Sequence, residues 1–79
     1  MEGIDYEKDC RAALDKVRTE IMARMEKCDI SKRQLAIQSG VTARTVFMWL
    51  NGHSAGINLT TLVRFCLTLG VDLKLEERA

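Results

Sequence analysis

Residues 31–52 read Ser31-Lys32-Arg33-Gln34-Leu35-Ala36-Ile37-Gln38-Ser39-Gly40-Val41-Thr42-Ala43-Arg44-Thr45-Val46-Phe47-Met48-Trp49-Leu50-Asn51-Gly52, and this stretch decides the fold. Ser31, three residues before Gln34, makes a capping box: the hydroxyl takes a free N–H at a helix start while the amide side chain answers the serine's own N–H. Leu35, Ala36 and Ser39 mark the inner face of the short helix that follows, and Gly40 ends it where a left-handed backbone is cheap only for glycine. Thr42 then offers an N-cap to a further helix, 42–51, with Val46, Trp49 and Leu50 as its buried stripe and Asn51-Gly52 as its stop. Two short helices meet at a steep angle only if the side chain nearest the crossing is small and the turn admits a positive φ. Ala36 and Gly40 supply both, and Val41, Val46 and Trp49 supply the apolar contact that locks the pair.

Working outward, Tyr6, Cys10, Ala13, Leu14, Val17, Ile21, Met25 and Cys28 recur at spacings of three and four with charges between them. This predicts a long amphipathic helix over about residues 5–28 with Asp5 as its N-cap, ended by Asp29-Ile30-Ser31. Downstream, His53 to Ile57 reads as a loop with Gly56 as a breaker. Asn58 caps a last helix over 58–70 that carries Leu59, Leu62, Val63, Cys66, Leu67 and Leu69 and stops at Gly70. Val71, Leu73 and Leu75 then alternate with Asp72, Lys74 and Glu76, the period of a short C-terminal strand over 71–77. A lone strand is unstable, so either it pairs with something or the alternation is accidental and the last helix frays.

Length and composition narrow the class. A chain of 79 residues holds one domain, 1–79, and domains near this size bury only about 60% of the surface their unfolded chains expose. The apolar runs are far shorter than the ~20 residues of a membrane span, and no export signal opens the chain, so a cytoplasmic protein is expected. Cys10, Cys28 and Cys66 are odd in number and widely spaced, which fits neither a disulfide framework nor zinc; they read as reduced, small core hydrophobes. The single histidine, His53, falls in a loop, and no phosphate loop, dinucleotide fingerprint or metal spacing occurs, so neither enzyme activity nor a cofactor is expected. Asn58-Leu59-Thr60 matches the glycosylation acceptor pattern, but the helix cap is the better reading. Net charge is only +1, yet residues 29–58 hold Lys32, Arg33 and Arg44 against Asp29 alone, with His53 in addition. A phosphate-facing surface belongs there.

A rigid crossing of this kind holds its second helix outward, where the N-terminal residues reach base edges while the first helix crosses the backbone. Over roughly residues 17–71 the chain resembles the Cro/CI-type (lambda-repressor-like, XRE) helix-turn-helix family. The likeness rests on Leu35-Ala36, Gly40-Val41, Thr42, Val46, Trp49-Leu50, Asn51-Gly52 and Leu69-Gly70-Val71. The resemblance implies an all-α bundle of four or five helices with its helix-turn-helix at 31–51. It further implies a prokaryotic or phage transcriptional regulator, a repressor, that binds a palindromic operator in double-stranded DNA as a homodimer.

Carried over by position, Ala43, Arg44, Phe47 and Met48 face the bases. Arg44 suits guanine O6 and N7, while Phe47 and Met48 depart from the polar residues usual there and suit thymine methyls or packing against the bundle or a partner. Ser31, Lys32, Gln34, Thr42 and Asn51 fall to the phosphates, with Arg33 and His53 within reach of them. Some Cro-like proteins dimerise through a strand after the last helix, which here assigns Val71, Leu73 and Leu75 to the dimer; the rivals are the last helix and the long first helix. The alternative function is an antitoxin-like or adaptor protein whose first helix or tail holds a protein partner, DNA binding being autoregulatory or lost.

Overall fold

In the computed structural model, which describes residues 3, 5–53 and 56–75, four helices follow one another: α1 (Tyr6–Cys28), α2 (Lys32–Ser39), α3 (Ala43–Leu50) and α4 (Leu59–Leu69). Each starts at the capping residue expected of it. Asp5 accepts from the Lys8 N–H at 3.1 Å, Thr42 from Thr45 at 3.3 Å and Asn58 from Thr60 at 2.8 Å. Ser31 and Gln34 close both halves of their capping box, at 3.1 and 2.9 Å. Caps of this kind stabilise a helix by about 0.5–2 kcal/mol each, which matters for helices of only eight residues such as α2 and α3.

The helix ends share one device. A residue in the left-handed region follows the last turn, and the N–H of the residue directly after it donates to a carbonyl five residues back: Ile30 to Met25, Val41 to Ala36, His53 to Met48 and Val71 to Cys66, at 2.9–3.1 Å. Glycine fills that position after α2, α3 and α4, whereas α1 uses Asp29 at φ 57°, a residue whose short polar side chain tolerates the conformation. After α1, α2 and α4 the returning residue is apolar, and Ile30, Val41 and Val71 pack onto the core.

Carbonyls at three of these ends are held by arginines from elsewhere in the chain. Arg18 Nε donates to Trp49 O at 2.7 Å, Arg24 Nε to Leu69 O at 3.0 Å, and Arg64 Nη1 to Ser39 O at 3.1 Å. A guanidinium is favoured at the negative end of a helix. Through these bonds α1 holds the ends of α3 and α4, and α4 holds the end of α2.

The core lies where α2, α3 and α4 converge on the C-terminal half of α1. Trp49, Phe65, Leu35 and Val46 are its largest fully buried side chains. Trp49 and Phe65 stack with centroids 5.7 Å apart. Around them pack Ile21, Met25, Ala36, Leu50, Leu62, Cys66 and Leu69.

Three expectations need correction. Phe65 is central to the core, a position that the expected apolar set of the last helix, Leu59, Leu62, Val63, Cys66, Leu67 and Leu69, omits. Leu59, Val63 and Leu67 are exposed instead, because α4 is apolar on both faces and periodicity does not say which one turns inward. The N-terminal half of α1 overhangs the body, so Tyr6, Cys10 and Ala13 are exposed and only Ile21 and Met25 are buried. The cysteines consequently differ: Cys66 is buried, Cys28 half-buried and Cys10 exposed. Burial, and secondarily the charge of Asp72, pushes the Cys66 thiol up. Residues 71–75 carry no regular structure, and the described residues contain no strand; positions 76 and 77 of the expected strand lie outside them. Among the described residues no helix is long and apolar enough to cross a membrane.

Gly40 sits at φ 75°, and a Cβ placed there would lie 2.9 Å from the Arg64 guanidinium that holds Ser39 O. Gly40→Ala is therefore expected to lower stability by about 1–2 kcal/mol, read as a lower denaturant midpoint at unchanged slope; an unchanged midpoint contradicts the role given to this turn. In the native protein a thiol reagent should modify Cys10 first, Cys28 more slowly and Cys66 only on unfolding, measured by timed mass spectrometry. Equal rates at Cys66 and Cys10 would contradict the packing.

Candidate nucleic-acid interface

Helix α3 buries Val46, Trp49 and Leu50 and turns the opposite side to solvent. At 3.6 residues per turn that opposite side is the ridge Arg44, Phe47, Met48 and Asn51, with Ala43 and Thr45 at its edges. All six are exposed, including Phe47 at 42% and Met48 at 37%. Phe47 and Met48 are thus not core residues, and two large apolar side chains stand on an outward helix face beside a cation.

That cation is Lys32. From the first turn of α2 its Nζ donates to Asn51 Oδ1 at 2.5 Å and lies 5.7 Å from the Phe47 ring centroid. The start of α2 and the end of α3 are thereby joined on one surface. Lys32, Phe47 and Asn51 come together there, so two residues expected at phosphates stand in contact with one expected at a base. Ser31, Gln34 and Thr42 are exposed and carry helix caps at the starts of α2 and α3; Arg33 is exposed, and His53, exposed too, is tied to the ridge through its backbone N–H, which donates to Met48 O at 2.9 Å.

The far side of the ridge opens on a groove of about 230 Å³ lined by Arg44, Thr45, Met48 and Trp49 and, from the α3–α4 connection and the start of α4, by Gly56, Ile57, Asn58 and Thr61. Sequence reasoning did not link Thr45, Ile57 or Thr61 to the surface. The usable signal was the Asn58 cap, since a helix start presents N–H donors. Val71 is half-buried and Leu73 and Leu75 exposed, at the other end of α4 from this groove.

Beneath the ridge the seating is rigid. Arg18 stands 5.8 Å from the Trp49 ring centroid while it holds Trp49 O, and it is itself paired with Asp15. The Trp49 Nε1–H is buried with no hydrogen-bond partner among the described residues, so the indole is placed by packing and by Arg18 alone. Arg18 escapes sequence reading because its target is a backbone carbonyl 31 residues away.

A family model described as Helix-turn-helix (HTH_3) matches residues 21–75, most of the chain. No curated protein and no solved structure matches. The matched span covers the core-facing half of α1, the two short helices, α4 and the segment after it, which are the parts that carry the geometry above. An outward α3 on a rigid elbow, within a matched span of this extent, places the chain in the Cro/CI-type (XRE) helix-turn-helix family of DNA-binding transcriptional regulators.

Proposed function

We propose that the protein is a repressor that binds a palindromic operator as a homodimer, with α3 of each copy in the major groove. The observation that carries this reading is the outward ridge of α3, next to helix starts that offer N–H donors to the DNA backbone. Arg44 grips a guanine through O6 and N7, a contact that discriminates by about 1–3 kcal/mol. Phe47 and Met48 press on thymine methyls, and Ala43 allows close approach to the base edges. Lys32 leaves Asn51 for a phosphate, Ser31, Gln34, Thr42 and Asn51 fix the register on the backbone, and Arg33 and His53 add charge at its margins.

Support for the homodimer comes from the tail. Leu75 is fully exposed and Leu73 46% exposed, next to a groove of about 450 Å³ bounded by Val63, Leu67, Val71 and Leu73. Residues 71–75 are self-complementary when laid antiparallel about Leu73: Val71 meets the partner's Leu75, Asp72 meets the partner's Lys74, and Leu73 meets its own copy. Val71, Leu73 and Leu75 then lose water together.

Selection of bound duplexes from a random pool tests the whole reading, with a palindrome as the expected result; recovery of no sequence preference contradicts it. Arg44→Ala is expected to relax preference at one base pair of each half-site. Lys32→Ala is expected to weaken all duplexes alike and to flatten the salt dependence by about one unit of log–log slope. Equal, sequence-independent losses in both variants contradict the role of Arg44. At micromolar concentration Leu73→Asp is expected to sediment as a monomer, and an intact dimer contradicts tail pairing.

A further inference from the structure

The helical repeat of apolar residues does not stop where the body of the domain does. The first part of α1 precedes the family match, and over residues 6–20 no side chain is buried. Even so, Tyr6, Cys10, Ala13 and Val17 follow at alternating spacings of four and three, with Leu14 beside them. Tyr6 is 71% exposed, Cys10 and Ala13 are exposed, Leu14 is half-buried, and Val17, half-buried too, already packs on the edge of the core, so the uncovered part of the stripe is Tyr6 to Leu14. Tyr6, Cys10, Leu14 and Arg18 overhang the Gly52-His53 turn across a groove of about 710 Å³. A helix needs no such stripe unless something covers it.

Charge along this overhang identifies what covers it. The first turn and a half carries Asp5, Glu7 and Asp9 against Lys8, whereas residues 11–18 carry Arg11, Lys16 and Arg18 against Asp15. An acidic start followed by a basic stretch repels a parallel copy of itself and attracts an antiparallel one. We propose that the N-terminal half of α1 is a second self-association surface, on which the same helix of another copy packs antiparallel. With the two-fold axis near residue 12, Cys10 lies against the partner's Ala13, and Tyr6 reaches the margin of the partner's body beside the partner's Val17, which its own core already covers in part. Asp9 and the partner's Lys16 come level within about 3 Å along the axis, at a rise of ~1.5 Å per residue, and the symmetry makes that pair twice.

So short a contact falls below the ~1,000 Å² of a stable free-standing interface. It forms weakly in free solution and strongly where copies are already held close, as tail-paired dimers on neighbouring DNA sites are. It thus links dimer to dimer, and it depends on neither DNA binding nor tail pairing.

Sedimentation equilibrium of the 79-residue chain without DNA, at about 0.05–1 mM, tests the proposal, because an association of about 4–6 kcal/mol is populated only at such concentrations. The wild type is expected to grow past a dimer with concentration, and Leu73→Asp to follow a monomer–dimer equilibrium. In either background Asp9→Lys or Lys16→Asp should lower the association constant at this face by about tenfold, and the two together should restore it; equal thermal melts by circular dichroism show that the fold is retained. Single reversals without effect, or a double reversal that fails to recover, overturn the antiparallel helix pair. A change of mass on Leu73→Asp alone leaves the tail dimer standing in that case, and no change on Leu73→Asp with a full charge-swap response leaves only the helix pair.

Discussion

Everything on the outer surface depends on how Trp49 is seated. Its ring stacks on Phe65 inside the body, and its carbonyl, at the end of the same helix that carries the exposed ridge, is held by Arg18 of α1. Side chain and backbone of one residue are thus fixed from two elements at once, and α3 has neither room to slide along its axis nor freedom to roll. A buried aromatic side chain stabilises by about 1.5–3 kcal/mol, a large share of the margin available to so small a domain. The indole N–H has no partner among the described residues, so at this place packing outweighs one lost hydrogen bond.

From that anchor the order of dependence runs outward. Gly40 and the turn after α2 set the crossing angle, the Arg64 contact with Ser39 O closes the end of α2, and Lys32 ties the beginning of α2 to the end of α3. The turn and the Arg64 contact therefore keep the elbow one unit even when Lys32 exchanges Asn51 for a phosphate, so the surface meets a duplex with that side chain moving and the helices fixed. Weak net charge is consistent with this design: twelve Lys and Arg are nearly balanced by eleven acids, but Lys32 and Arg44 stand on the α2–α3 surface while Arg18, Arg24 and Arg64 are committed to helix ends.

Much of this was legible in the residues. Caps are local, so Asp5, Ser31 with Gln34, Thr42 and Asn58 announced all four helix starts, and Gly40, Asn51-Gly52 and Gly70 announced three of the ends. The outward face of α3 followed from three buried residues and the helical period. What stayed hidden was long-range. Leu59, Val63 and Leu67 are as apolar as Leu62, Phe65 and Leu69, so only the packed neighbours decide which set is inside. The same holds for Tyr6 and Cys10, whose spacing continues a stripe beyond the body it serves. No pattern in a sequence tells that three arginines reach carbonyls 25 to 45 residues away. The alternation of Val71, Leu73 and Leu75 was visible too, but a strand exists only with something to pair with, and a single copy of the chain contains no such edge among its described residues.

The most direct test of the outward α3 is amide and side-chain NMR mapping during titration with a duplex recovered by selection. The expected result is a contiguous perturbed surface made of Ala43, Arg44, Phe47 and Met48, together with the first turns of α2 and α3, while Trp49 and Phe65 stay unshifted in the core. Perturbation confined to α1 or to the outer face of α4, with the α3 ridge silent, contradicts it.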